Sequence, residues 1–163
     1  MKKVFVIAFC LFTYLCDAQT EAPKIYHPEA DAEKDIAAAT KKAKAENKYV
    51  LVQGGGNWCG WCIEFARFCK ADPKIDSVIN AGFIWYHLNY SKENFNKPIF
   101  AKYSYPQRFG FPVFIILNEK GERINTQNSE YLEDGKKSYD RAKVQAFLEQ
   151  WSPPALNPKM YEN

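Results

Sequence analysis

The chain has 163 residues, a formal charge of +3 and an aromatic fraction of 16%. That length suits one domain behind a processed N-terminus, and 47% hydrophobic residues can build a core, which excludes a disordered chain. The small net charge, with no basic stripe interleaved with aromatics, excludes a nucleic-acid partner.

Lys2 and Lys3 precede an apolar run over 4–15, and Cys16-Asp17-Ala18 offers a small residue for cleavage. The run is too short to span a bilayer and suits a secretory signal peptide over 1–18. Cleavage after Ala18 leaves Gln19 first and, with Lys2, Lys3 and Asp17 gone, a charge of +2. The alternatives are an uncleaved anchor or a lipidated Cys16, although Leu15 is bulky for the position before a lipidated cysteine. Residues 19–27 then form an N-terminal extension, 28–151 a single domain, and 152–163 an irregular C-terminal tail.

The stretch 28–48 is rich in Ala, Lys and Glu, with Ile36, Ala39 and Ala43 on one face. It predicts an amphipathic helix solvated along Lys41, Lys42 and Lys44. Tyr49-Val50-Leu51-Val52 is short, apolar and β-rich, giving a strand at 48–53 that Gly54-Gly55-Gly56 breaks. No Gly-Lys-Ser/Thr completes a phosphate loop, so the glycines read as flexibility beside the next motif. A helix over 59–70 follows, with Ile63, Phe65, Ala66 and Cys69 on its buried face. Asp72-Pro73 punctuates the chain before a short helix at 74–80. The run 83–88 is apolar enough for a central strand. Residues 94–103 read as loop and short helix, 111–117 as the third strand, and Asn118-Glu119-Lys120-Gly121 as a turn into a fourth at 122–126. A polar loop at 127–137 leads to a closing helix at 138–151, with Val144, Phe147, Leu148 and Trp151 at helical spacing before Pro153-Pro154. This order gives an α/β fold, a central mixed β-sheet flanked by helices on both faces, with parallel βαβ pieces and an antiparallel terminal hairpin.

Trp58-Cys59-Gly60-Trp61-Cys62 stands where a strand gives way to a helix. Two cysteines three apart in a first helical turn share a face and can close a short disulfide ring. The first also sits at the helix N-terminus, where unpaired N–H groups and the macrodipole stabilise a thiolate. One sulfur becomes a nucleophile and the other its resolving partner, which is redox chemistry. Cys10 and Cys16 fall in the leader, so Cys59, Cys62 and Cys69 remain. A structural disulfide framework would use more cysteines at wider spacing. Cys69 reads as a buried small apolar residue. His27 and His87 are the chain's histidines and no second C-x-x-C exists, so no metal site is expected. Asn89-Tyr90-Ser91 matches a glycosylation acceptor, a short and common motif.

The chain resembles the thioredoxin-like superfamily, in its exported branch where a long helix and Ala43-Lys44-Ala45-Glu46-Asn47-Lys48 precede the first core strand. The resemblance covers about 28–151, which makes that stretch a thioredoxin-like domain. It rests most on Trp58-Cys59-Gly60-Trp61-Cys62 and on Arg108-Phe109-Gly110-Phe111-Pro112-Val113. It implies a cis peptide before Pro112, facing the cysteine pair and leaving the Phe111 backbone free to pair with a substrate strand. Two positions depart from the family pattern. Thioredoxins carry a buried aspartate six residues before the first cysteine, where this chain has Gln53, which cannot titrate. A familiar strand lysine before Leu-Asn is replaced by His87, a candidate modulator of proton transfer at the buried thiol.

The resemblance implies a protein thiol–disulfide oxidoreductase. Cys59 thiolate attacks a substrate disulfide and Cys62 resolves the mixed disulfide. Trp58, Gly60, Trp61, Phe111 and Pro112 form the substrate-binding surface around the sulfur. No organic cofactor or metal is required beyond the redox-active disulfide. The expected partners are exported proteins bearing cysteines or disulfides, and a membrane or soluble thiol redox partner that supplies electrons. Export places the domain in an oxidising compartment, a bacterial periplasm or the extracellular space, where a reductase needs an electron supply; the sequence does not fix the direction of electron flow, and the favoured reading is a reductase or isomerase over an oxidase. The alternative is a non-enzymatic module that binds peptide or a partner and holds a structural disulfide, a reading to which untitratable Gln53 lends support.

Overall fold

A computed structural model of the chain describes residues 24–162. The leader expected over 1–18, with Cys10 and Cys16, lies outside the described residues. Strand β1 (Tyr49–Gly55) runs down the middle of a four-stranded sheet. It pairs in parallel with β2 (Phe83–Asn89) and antiparallel with β3 (Val113–Leu117), and β3 carries β4 (Arg123–Asn128) antiparallel at the edge. The expected mixed sheet is therefore present.

Side-chain alternation along β1 decides which helix covers which face. Leu51, with Phe114 and Ile116 of β3, packs beneath α2 (Gly60–Ala71), α3 (Pro73–Gly82) and α5 (Arg141–Gln150), which contribute Phe65, Ile79 and Phe147. Val50 and Val52, with Ile115 and Leu117, face α1 (Ala32–Ala45) and α4 (Lys97–Lys102), which contribute Ile36, Ala43 and Phe100. Helices thus cover both faces, as the element order requires.

Capping side chains set the helix boundaries more narrowly than periodicity does. The carboxylate of Asp31 accepts the Lys34 N–H at 3.2 Å, so α1 starts there rather than at Pro28. Asn47, at φ 55, turns the chain out of the helix towards β1. Asp72 accepts the N–H groups of Lys74 and Ile75 at 2.9 and 3.1 Å, and Pro73 occupies the first turn of α3, where its missing N–H costs nothing. Asp140 caps α5 in the same way, so that helix starts at Arg141 rather than at 138. The expected loop at 127–137 is partly ordered, because β4 continues to Asn128 and a 3-10 turn at Ser129–Leu132 buries Leu132. The tail also holds two 3-10 turns, Pro154–Leu156 and Pro158–Met160.

The glycines differ most from expectation. They do not end the strand, since β1 runs through Gly54 and Gly55, and all three glycines are buried. A Cβ added to Gly55 would lie 2.5 Å from Cys62 Sγ and 2.8 Å from Tyr26 Oη. The missing side chain serves close approach, not flexibility. The Asn89 amide is also turned inward, donating to Ser91 Oγ at 3.1 Å and to the Asn94 carbonyl at 2.8 Å, which removes it as an accessible glycan acceptor.

Candidate active site

The end of β1 delivers the chain to the start of α2 through one tight turn, in which the Cys59 N–H donates to the Gly56 carbonyl at 3.0 Å. Cys59 keeps an extended backbone and is the N-cap of α2, one step outside the first turn where sequence spacing put it. Its Sγ accepts the Cys62 N–H at 3.2 Å. The two cysteines are joined as a disulfide, with Cα atoms 5.2 Å apart. The open N–H groups and dipole of the helix start favour negative charge on Cys59 when the bond opens. No acidic residue in the first turn of α2 opposes that charge. Cys59 keeps 6% exposure while Cys62 is fully buried, so attack from solution can reach the Cys59 side alone.

Around this sulfur the expected surface residues take different positions. Trp58 is 61% exposed, yet its ring is fixed, with Nε1 donating to the Tyr90 carbonyl at 2.7 Å and an edge-on contact to Phe111 at 5.7 Å. Phe111 is half-buried and also meets Tyr90 at 4.9 Å. Pro112 is buried, and the Phe111–Pro112 peptide is cis. Gly60 is exposed, with open space where a Cβ would stand. Trp61 instead turns towards the core, edge-on to Tyr139 at 5.5 Å, while the Tyr139 hydroxyl donates to the Trp61 carbonyl at 3.1 Å. Trp58 and Phe111 form the open wall, and Trp61 supports the pair from behind.

Sequence reasoning missed a recess next to this wall. Trp58, Tyr90 and Phe95 line a cavity of about 260 Å³ together with Ser91, Lys92 and Glu93. The aromatic spacing at Tyr90 and Phe95 was its one signal.

Beneath the disulfide lies a buried polar set. Gln53 Nε2 donates to the Cys62 carbonyl at 2.9 Å and to Tyr26 Oη at 2.8 Å. Tyr26 is 1% exposed and packs with Cys59 and Cys62, although it belongs to the segment read as an extension. Asn57 holds it there, accepting the Ile25 and Tyr26 N–H groups at 3.0 and 3.1 Å and donating to the Tyr26 carbonyl at 2.8 Å. The apolar Ile25-Tyr26 step ahead of Pro28 was the available clue. His87 meets the Tyr26 ring edge-on at 5.4 Å and lies against Trp85 at 5.1 Å. Burial pushes the His87 pKa down to about 4, so it is neutral at physiological pH. Gln53 therefore touches Cys62 directly, whereas the ring contacts of His87 lead to the pair by way of Tyr26. Cys69 lies on the core-facing side of α2, and burial raises its thiol pKa. Among the described residues, no group of three or more His, Cys, Asp or Glu side chains converges as a metal site would require.

A family model described as the Thioredoxin-like domain matches residues 36–132, more than half of the chain. Among solved structures, the chain is similar to the disulphide isomerase from Xylella fastidiosa Temecula1, with a TM-score of 0.68 and 21% identity over 78% of this chain and 96% of that one. The oxidised C-terminal domain of Neisseria meningitidis DsbD gives 0.52 at 17% identity, over 75% and 97%. A thioredoxin from Thermus thermophilus gives 0.50 at 20%, over 70% and 81%. At such identities these structures share the fold. No curated protein matches the chain in sequence at a significant level. The matched span contains β1, the cysteine pair and the strand after Pro112, the parts that a disulfide-exchange centre needs. The chain belongs to the thioredoxin-like domain family and carries a Cys59–Cys62 pair at its helix start.

Proposed function

We propose that this chain is a thiol–disulfide oxidoreductase that reduces or isomerises disulfides in exported proteins, with Cys59 as the attacking thiolate and Cys62 as the resolving cysteine. The position of Cys59 Sγ carries the reading, because it caps α2, receives the Cys62 N–H and sits at the foot of the exposed Trp58 wall. In the reduced protein, Cys59 thiolate attacks one sulfur of a substrate disulfide and expels the other as a thiolate. Cys62, deprotonated, then attacks Cys59 Sγ, closes the internal disulfide and releases the second substrate thiolate. A thiol redox partner, soluble or membrane-bound, returns two electrons.

Trp58 and Phe111 give apolar contact to an extended polypeptide, and the main chain of Phe111, just ahead of β3, is placed to pair with it. Gly60 leaves the approach open, Pro112 backs it, and Trp61 steadies the pair from below. Gln53 and His87 modulate Cys62 from the buried side. The fold shared with a disulphide isomerase supports the isomerase side of this reading. Export rests on the leader-like stretch 1–18, and the resemblance to the exported branch of the family favours a bacterial periplasm over the extracellular space.

Trapping tests the assignment. A Cys62→Ser variant incubated with disulfide-bearing exported proteins is expected to accumulate reductant-sensitive adducts through Cys59, and Cys59→Ser to accumulate none. Equal trapping by both variants would refute the assigned roles.

A further inference from the structure

With Gln53 unable to titrate, the buried Cys62 thiolate needs a stabilising partner other than an acid. The amide of Gln53 shows where that partner lies. A backbone carbonyl only accepts hydrogen bonds, so the side of Gln53 facing the Cys62 carbonyl must be its nitrogen. The same nitrogen donates to Tyr26 Oη and occupies an acceptor site on that oxygen. The O–H of Tyr26 is therefore not used on Gln53 and remains available to donate. Its hydroxyl and Cys62 Sγ flank a single point above Gly55, where a Cβ would lie 2.8 Å from one and 2.5 Å from the other. Asn57 fixes the Tyr26 main chain, while burial of the ring and the Gln53 bond hold the hydroxyl beside this point.

We propose that the Tyr26 hydroxyl is the hydrogen-bond donor to Cys62 Sγ, stabilising the Cys62 thiolate whenever the disulfide opens, in the role that an acid fills elsewhere. The proposal rests on Cys62 being the resolving cysteine. When a partner thiolate attacks Cys59 Sγ, a new S–S bond forms, the Cys59–Cys62 bond breaks, and its electron pair leaves on Cys62 Sγ. Tyr26 turns its O–H onto that charge and keeps its proton. In the opposite direction, Cys62 first loses its thiol proton to water, and Tyr26 holds the resulting thiolate. That thiolate then attacks Cys59 Sγ of the mixed disulfide and expels the substrate thiolate.

The surroundings leave Tyr26 as the group that acts. Burial raises its own pKa far above neutrality, so it donates without ionising. The titratable groups facing Cys62 are Tyr26 from the N-terminal segment and Cys59 from the helix start, with Gln53 of β1 uncharged. His87 of β2 lies behind the Tyr26 ring and is neutral above about 4. Tyr139, ahead of α5, bonds the Trp61 carbonyl, and burial keeps it protonated. Glu64, one turn along α2, pairs with Arg67, which holds its pKa below the usual carboxylate range. With Cys59 held in the mixed disulfide, none of the other groups named here changes charge between about pH 6 and 9, the range in which a buried thiol with a donor should titrate.

Two-phase kinetics test it. Reduced protein mixed with excess dithiobis-nitrobenzoate releases one thionitrobenzoate as Cys59 attacks and a second as Cys62 resolves. In Tyr26→Phe the pH midpoint of the second phase should rise by about one unit, slowing resolution about tenfold at pH 7. The first phase, measured in a Cys62→Ser background with and without Tyr26→Phe, should not move. An unshifted second-phase midpoint in folded Tyr26→Phe overturns the proposal. Should that variant not fold, wild-type protein answers by infrared difference spectroscopy across the same midpoint. Loss of an S–H band together with a shifted tyrosine C–O band supports the donor, and a silent tyrosine region overturns it. A wild-type protein that shows no second phase at all would refute the resolving role of Cys62 itself, a result distinct from an unshifted midpoint.

Discussion

Cys59 and Cys69 stand at opposite ends of α2, and the helix treats their sulfurs in opposite ways. At the N-terminal end, open N–H groups and the positive end of the dipole favour a thiolate on Cys59. In the last turn Cys69 is fully buried, and desolvation first, then the charge of Asp76, raise its thiol pKa. One residue type in one helix thus meets one setting that favours a thiolate and another that opposes it. The position, not the residue type, sets how readily each sulfur ionises.

The link between the two ends can be cut at Phe65, which sits between them on α2, 4.3 Å from Phe114 and 4.9 Å from Tyr139 by ring centroids. Phe65→Ala should cost about 3–5 kcal/mol in urea unfolding, through lost burial and the cavity left behind. If the helix start acts independently of the core, the reduction potential of the folded variant stays where it was. A large shift in potential would show that core packing, and not the helix terminus, sets the chemistry of Cys59.

Beneath the reactive end, His87 predicts a pH dependence of stability. Its folded pKa is about 4 against an ordinary value of 6.5, because burial disfavours the charged ring. Below about pH 6.5 the unfolded chain takes up this proton while the native state still refuses it. The contribution is complete above 6.5 and is lost as pH falls towards 4, by about 1–3 kcal/mol. Denaturation between pH 7 and 4 should show that slope, and His87→Gln should flatten it. An unchanged slope in His87→Gln would assign the acid sensitivity to other groups.

The smallest effect is expected at the inert end. Cys69→Ala should leave the exchange rate within about twofold and cost about 1 kcal/mol of stability, the loss of one small buried group. A marked change in exchange products would place Cys69 in the redox cycle and dissolve the contrast between the two ends.

What the sequence made legible was local. The apolar run of Tyr49 to Val52, the helical spacing of Phe65 and Cys69, and the apolar stretch from Phe83 announce their elements without tertiary help. The pair at Cys59 and Cys62 is equally plain, since its spacing and the strand before it carry the chemistry. What stayed hidden depends on contacts between distant residues. Gly54 and Gly55 look like breakers in a local window, yet they continue β1, Gly54 close against Val113 and Phe100, and Gly55 where Tyr26 and Cys62 Sγ need the space a side chain would take. Tyr26 lies more than thirty residues from Cys62 in sequence, and the clamp from Asn57 that brings it back leaves no periodic trace. Adjacency to the cysteines groups Trp61 with Trp58, but the turn of the helix sends the two rings to different sides of the pair.

The reduction potential of the Cys59–Cys62 pair tests the central claim most directly. The protein would be equilibrated in glutathione buffers of graded ratio, and its thiols trapped by alkylation and counted. A working exchange centre predicts a reversible two-electron transition between about −270 and −180 mV, the span from thioredoxin to protein disulfide isomerase. A potential below about −300 mV, where structural disulfides lie, would contradict it and leave a binding module with a fixed bond.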